Sequence, residues 1–143
     1  MIFNRILELY LLLYFSIAAH ETGHLIAARL IGLKVTGLRI GDRFLAIRFG
    51  GLSVSPWCGC GGFVSFDQTE MTKKTKTQKA FFFFSGCAVN VLLLISSTVL
   101  IRLSPFYAAA LFLINFSLLL ENAVPFFHQE NDLRKFLRYI KSV

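Results

Sequence analysis

Three long apolar runs dominate the pattern of the chain. Ala80–Ile101 has 22 residues without a charge, and Phe106–Phe127 has the same length with Glu121 as its one charge. A third run covers about Ile6–Ile31 and is interrupted by polar residues. A helix of 22 residues, rising about 1.5 Å per residue, crosses the roughly 30 Å apolar core of a bilayer. The pattern therefore predicts three transmembrane helices.

The segment between the first two runs has a different pattern. Gly32 and Gly37 end the helical periodicity, and residues 34–66 contain short pieces rich in β-branched and aromatic residues: LKVTGLRI, RFLAIRFG, GLSVS and GGFVSF. Gly, Asp and Pro separate these pieces, which is typical of two to four short strands. Residues 67–79 form a polar, basic connection to the second run.

The end of the chain has a second kind of helical pattern. Pro125 ends or kinks the third transmembrane helix. Beyond it, apolar residues recur at i, i+3, i+4 and i+7, with basic residues between them. The apolar positions are Leu133, Phe136, Leu137 and Ile140. This pattern predicts an amphipathic helix on the inner leaflet.

The fold class that follows is an all-α membrane protein. It has three transmembrane helices, a small β-hairpin or sheet between the first and the second, and a C-terminal amphipathic helix. We expect residues 1–143 to form a single domain. Composition agrees: 55% of the residues are hydrophobic and the mean hydropathy is +0.63, more apolar surface than a soluble domain of this size hides.

The first apolar run also resembles a signal peptide, with Arg5, an apolar stretch and the small residues SIAA. Glu8 interrupts that stretch, and the apolar pattern resumes at Leu25. A transmembrane helix is the better interpretation.

The chain is basic, with 15 Lys and Arg against 8 Asp and Glu, and such an excess of positive charge is compatible with nucleic acid as a partner. Its placement indicates membrane topology instead, because the loop between the first two runs and the C-terminus hold most of the basic residues: Lys34, Arg39, Arg43, Arg48, Lys73, Lys74, Lys76, Lys79, Arg134, Lys135, Arg138 and Lys141. Arg5 and Arg102 lie on the other side. The positive-inside rule predicts a cytoplasmic loop and C-terminus, an outside N-terminus, and no nucleic acid.

The three cysteines do not form a disulfide framework. Cys58 and Cys60 lie in the loop predicted to be cytoplasmic, where thiols stay reduced, and Cys87 lies in the second apolar run. An incidental Gly/Cys-rich turn is a better interpretation of Cys58 and Cys60 than a metal site.

Residues 20–24, HETGH, place ionisable groups inside the first apolar run. In a helix His20 and His24 lie on one face, and Glu21 lies beside them. In the pattern H-E-x-x-H two neutral imidazoles bind zinc, the glutamate acts as general base, and zinc lowers the pKa of water to about 7. A chance match is the alternative. Ionisable groups at membrane depth cost about 2.5–3.5 kcal/mol each, so they tend to be kept for function.

Small residues recur every four positions beside the histidine face, at Ala19, Gly23 and Ala27. Such a stripe allows another helix or an extended peptide to approach closely. Packing among the three transmembrane helices explains it equally well.

Four motifs together resemble the site-2 protease family of intramembrane zinc metalloproteases, over nearly the whole chain. They are HETGH at 20–24, GGFVSF at 61–66, FSGCAVN at 84–90 and NAVPFFHQEND at 122–132. The second is similar to the Gly-Gly-aromatic-Val of the family's membrane-associated β-hairpin. The third is similar to its Gly-Pro-x-x-Asn, and the fourth to its Asn-x-x-Pro followed by Asp-Gly. Cys87 stands where the family usually has Pro, and Leu133 where it has Gly.

The resemblance implies roles for individual residues. His20, His24 and Asp132 would be zinc ligands, Glu21 the catalytic base, and Asn90 a residue near the bound peptide. Gly61, Gly62 and Phe63 would belong to a strand edge that binds the substrate.

Two of these assignments have alternatives. Asp132 or Asn131 could be the N-cap of the last helix, with Glu121, His128 or Glu130 as the third ligand. Asn90 could form an interhelical hydrogen bond instead.

The predicted function is hydrolysis of a peptide bond in or next to a transmembrane segment, with Zn²⁺ as the cofactor. The predicted partners are the lipid bilayer and a membrane-embedded peptide or single-span protein, and the predicted location is a bacterial cell membrane. A non-catalytic protein that binds a peptide or partner is the alternative. A metal transporter is less favoured, because the second apolar run offers no charged pathway.

Overall fold

The structure is a computed structural model that describes residues 2–41, 46–56, 61–124 and 131–141. Its helices are α1 (Ile2–Leu30), α2 (Gln68–Thr72), α3 (Lys76–Leu100), α4 (Pro105–Ala123) and α5 (Asp132–Lys141). Within the described ranges, α1, α3 and α4 are long and apolar enough to cross a membrane. They confirm the prediction of a mostly helical chain with three such helices.

Local sequence signals fix where the second and third long helices begin. Thr75 and Gln78 form a capping box at the start of α3, so each side chain accepts a hydrogen bond from the other residue's backbone N–H. Pro105 occupies the first turn of α4, where its missing N–H is harmless. α4 ends at Ala123, and Pro125 lies outside the described residues.

Four short strands form one sheet between α1 and α2, as the sequence predicts. They are β1 (Val35–Ile40), β2 (Ile47–Phe49), β3 (Leu52–Val54) and β4 (Gly62–Phe66). The order in the sheet is β2-β3-β1-β4. β2 and β3 form an antiparallel hairpin, β3 runs parallel to β1, and β4 runs antiparallel to β1.

Small residues bring α1 and α3 into close contact. A Cβ placed on Gly23 would lie 2.8 Å from Val89 Cγ2 and 2.9 Å from the carbonyl oxygen of Ser85. Ala27 in the same stripe is also buried. At Gly23 the small-residue stripe therefore serves packing between helices.

α5 packs on the start of α3 beside the main apolar core. That core contains Ala27, Ala28, Leu33, Met71, Phe82 and Phe83. Tyr139 stacks on Phe83 with ring centroids 5.6 Å apart, and Phe136 meets Phe84 at 5.2 Å. The Lys79 ammonium donates a hydrogen bond to the carbonyl oxygen of Tyr139 at 3.3 Å. These contacts place the N-terminus of α5 next to the C-terminal half of α1.

Candidate metal centre

Two histidines one turn apart on α1 face a glycine on α3. His20 and His24 are both buried, and their Nε2 atoms are 3.2 Å apart. A Cβ placed on Gly86 would lie 2.5 Å from His24 Nε2 and 2.6 Å from His20 Nε2. Because glycine has no Cβ, α3 leaves room for both rings and for an ion between them.

Asp132 joins the two histidines from the first residue of α5. Its Oδ2 atom lies 3.2 Å from His20 Nε2 and 2.9 Å from His24 Nε2, and its side chain is buried. Burial alone would raise the pKa of Asp132. The hydrogen bonds and charges of the two imidazoles outweigh burial and hold that pKa well below its usual range.

The neighbouring residue supplies the cap of α5. Asn131 Oδ1 accepts a hydrogen bond from the backbone N–H of Arg134 at 2.9 Å, and its amide donates to the carbonyl oxygens of Glu121 and Val124. Of the two possible caps, Asn131 makes the capping bond. Asp132 is therefore left to face the histidines.

Backbone of α3 orients one of the rings. His24 Nδ1 lies 2.8 Å from the carbonyl oxygen of Phe82, to which it donates, so when the ring is neutral its proton is on Nδ1 and its lone pair is on Nε2. The hydroxyl of Ser85 also donates to that carbonyl, at 2.7 Å. His20 Nδ1 is buried without a hydrogen-bond partner in the described part of the chain.

The three donor atoms suit a zinc ion. Ligands on one tetrahedral zinc, each about 2.0–2.1 Å from the ion, are roughly 3.3 Å apart. Here the three separations are 2.9–3.2 Å. Two imidazoles and one carboxylate, all buried, form the one His, Cys, Asp and Glu cluster with metal-binding spacing among the described residues.

Glu21 is buried next to this trio and under the sheet. A Cβ on Gly62 would overlap the Cγ of Glu21, so the first residue of β4 lies directly against the glutamate. A cavity of about 130 Å³ reaches Glu21, His24 and Asp132. Its walls also include Gly62, Phe63, Val64, Phe66, Phe82, Phe83, Lys135, Arg138 and Tyr139.

Asn90 is fully buried in α3, one helical turn beyond Gly86. Neither of its amide atoms has a hydrogen-bond partner in the described ranges, so the alternative of an interhelical hydrogen bond has no support there. The predicted strand edge lies at β4: Gly61 precedes the strand with φ +71°, and the Phe63 ring lies under Lys135 Nζ at 5.2 Å.

The remaining candidate ligands do not join the trio in the described structure. The side chain of Glu121 is exposed near the end of α4. Four others lie outside the described residues: Cys58, Cys60, His128 and Glu130. Cys87 is buried in α3 as a free thiol.

Sequence reasoning missed three features of the centre. Gly86 carried a signal, since it lies in the FSGCAVN motif, but its lack of a side chain gave no reason to place it against the histidines. The Phe82 carbonyl is a backbone group, for which the sequence has no signal. Lys79 was assigned to the basic loop, whereas the structure buries it.

Comparison with known proteins gives a family for the chain. No curated protein matches it. The model of peptidase family M50 matches residues 8–108, which include the two histidines, Glu21 and most of the helices that hold them, but not Asp132. Proteins of this family are zinc metalloproteases in general, and the three apolar helices agree with a multi-pass integral membrane protein. The chain belongs to peptidase family M50, the site-2 protease family.

Proposed function

We propose that this protein is an intramembrane zinc metalloprotease that hydrolyses a peptide bond in or next to a transmembrane segment. One observation carries the proposal: His20, His24 and Glu21 are buried in a helix apolar enough to cross a bilayer, and the buried Asp132 of α5 completes a trio with the two histidines. Buried ionisable groups at membrane depth are costly and are typically kept for function.

Each residue of the centre has a proposed task. His20, His24 and Asp132 hold the ion, and the hydrogen bond from His24 to the Phe82 carbonyl keeps that ring in the tautomer that binds it. When bound, zinc supplies a Lewis acid that polarises the scissile carbonyl and acidifies water. Glu21 accepts the proton of the attacking water and delivers it to the leaving amine.

The sheet is suited to binding an extended substrate. β4 pairs only with β1 among the described strands, so its other edge has unpaired backbone groups. A peptide added to that edge passes Gly62 and therefore Glu21. The exposed ring of Phe63 offers an apolar contact. We infer that substrates unwind to an extended form before cleavage.

Asn90 is the proposed contact for the substrate backbone. Its side chain is fully buried and both amide atoms are unpaired within the described chain. An unpaired buried amide destabilises a protein unless something pairs with it. A peptide group of the substrate would supply both a donor and an acceptor.

The proposed substrates are short membrane peptides or single-span proteins. The distribution of Lys and Arg supports an orientation with the sheet and the C-terminus in the cytoplasm and the N-terminus outside. The proposed location is a bacterial cell membrane. Cleavage would then occur towards the cytoplasmic side, where β4 lies over Glu21.

The test compares Glu21→Gln with the control Glu121→Gln, which changes an exposed glutamate. Each purified protein is reconstituted in liposomes with a set of synthetic transmembrane peptides, and products are identified by mass spectrometry. Removing the general base is expected to slow cleavage by about 100-fold or more, with zinc content unchanged. The control is expected to cleave like the wild type.

Two results would contradict the proposal. Cleavage that persists in Glu21→Gln would exclude this glutamate as the base. A wild type that binds zinc and peptide but cleaves none of the peptides would favour the non-catalytic alternative.

A further inference from the structure

A groove of about 450 Å³ lies on the face of the sheet opposite to the catalytic site. Gly62 rests on Glu21, and successive strand residues point to opposite faces, so Phe63 belongs to the other face. Arg39 is the direct partner of Phe63 and shares that face. The groove therefore lies on the other face of the sheet from the cavity that reaches the metal centre, and Phe63 at the sheet edge lines both.

Two arginines and several small residues line this groove. Arg39 is paired with Ser53 on β3, and Ser53 is paired with Arg48 on β2, so the serine lies between two basic residues on one face. The strands are about 4.8 Å apart, which places the two arginine Cα atoms roughly 10 Å apart. The small residues of the groove are Gly37, Ala46, Gly50, Gly51, Ser53 and Ser65.

The two guanidinium groups have no anionic partner in the described structure. Neither arginine forms an ion pair there, and no Asp or Glu is among the described residues that line the groove. Arg39 Nε is buried and has no hydrogen-bond acceptor among the described residues. Buried donors without acceptors are destabilising, and a bound oxyanion would supply the missing acceptors. The arginine fork matches a phosphate group in particular.

The other face of the same hairpin indicates where the phosphate comes from. Ile47, Phe49 and Leu52 are 60%, 70% and 37% exposed. These side chains point to the face opposite Arg48 and Ser53. Lipid tails would cover such an apolar surface in a membrane protein, and the arginine face would then lie at the level of the headgroups.

We propose that Arg39 and Arg48 form a binding site for the phosphate of an anionic phospholipid headgroup. The site anchors the β2–β3 hairpin at the membrane surface. It does not depend on catalysis or on the metal.

The test places the full-length protein in nanodiscs of phosphatidylcholine alone or mixed equally with phosphatidylglycerol. Native mass spectrometry after release measures retained lipid, and thermal unfolding measures Tm. The variant is Arg39→Gln/Arg48→Gln. Its control is Lys73→Gln/Lys76→Gln, which removes the same charge from two exposed residues outside the sheet, at the end of α2 and the start of α3. Arg48→Gln alone serves as a second variant, because Arg48 is exposed on the edge strand β2.

The proposal expects wild type and control to retain phosphatidylglycerol and to gain Tm from it. Both arginine variants should lose that gain, and the double variant should retain about tenfold less lipid or worse. Equal retention of the two lipids, unchanged retention in the variants, or an equal loss in the control would overturn the site. If inorganic phosphate in neutral detergent raises Tm as much as phosphatidylglycerol does, the site does not require a lipid, and the assignment of a phospholipid as its ligand is wrong.

Discussion

Gly86 shows how one missing side chain makes room for the metal centre. Its backbone lies against both histidines, and a Cβ there would come within 2.6 Å of each ring. Helices normally gain from replacing glycine by alanine, by about 1 kcal/mol. Any loss of function on that change therefore comes from steric displacement of the rings.

Gly86→Ala is expected to weaken zinc binding by about 100-fold while leaving α3 helical. Chelator competition on the detergent-solubilised protein measures the affinity, and circular dichroism measures the helix content. Ser96→Ala, an exposed change in the same helix, is the control. Zinc affinity equal to that of the wild type would show that the rings do not need this space.

Asp132→Ala tests the third ligand directly. Because this carboxylate contacts both imidazoles, its removal should weaken zinc binding by more than about 100-fold, beyond the 10–100-fold typical of outer-shell changes. The measurement is zinc content per chain after dialysis, beside Asp67→Ala as a control. One zinc retained in Asp132→Ala would remove Asp132 from the ligand set.

The sequence predicts the local part of this centre better than the distant part. His20, Glu21 and His24 are one helical turn, so their mutual placement follows from helix geometry alone. The placement of Asp132 beside the histidines depends on how α5 packs. The sequence alone also does not show which residue caps α5, because Asn131 and Asp132 are both good N-cap residues. Only the tertiary contact, with Asn131 bonded to Arg134 N, decides between the two.

At the scale of elements, α5 is held at both ends. Asp132 lies at its start, and Lys79 donates to the Tyr139 carbonyl in its last turn. Lys79 is 1% exposed and lies in the first turn of α3, where the helix dipole disfavours a cation. Carbonyls at a helix C-terminus lack intrahelical donors, so the ammonium supplies one. Lys79 is therefore a positioning residue for Asp132.

Lys79→Met keeps the length of the side chain but removes the donor. It is expected to weaken zinc binding by about tenfold. The effect should vanish in an Asp132→Ala background, because Lys79 acts through that ligand. Lys76→Met, in the same turn but exposed, is the control. A loss of equal size in the Asp132→Ala background would indicate a general structural role instead.

The sheet shows a limit of sequence-based prediction at this scale. Glycine-separated β-like pieces are sufficient to predict two to four strands. The β2–β3 hairpin is local, but the order β2-β3-β1-β4 is not, because β3 pairs in parallel with β1 and β4 pairs with the other edge of β1 through tertiary contact. The helices were easier, since each long apolar run matches one helix to within a few residues at most ends.

At the scale of the whole molecule, charge predicts orientation. Ser104 lies in the turn between α3 and α4, which we predict to be outside, and Lys76 begins α3 on the cytoplasmic side. In intact cells, Ser104→Cys should react with a membrane-impermeant maleimide and Lys76→Cys should not. Both variants carry Cys58→Ser and Cys60→Ser, and Cys87 is buried. If Lys76→Cys is labelled and Ser104→Cys is not, the protein has the opposite orientation to the predicted one.

The ligand set also joins distant parts of the chain. His20 and Asp132 are 112 residues apart in sequence. The folded chain brings these ligands together and the unfolded chain separates them, so an ion that binds only the folded form stabilises it. Chelation should therefore lower the unfolding temperature, and unfolding should depend on the free zinc concentration. The metal would then link α1 to α5 as well as serve catalysis. Zinc starvation would therefore release α5 and expose the C-terminus to cellular proteases.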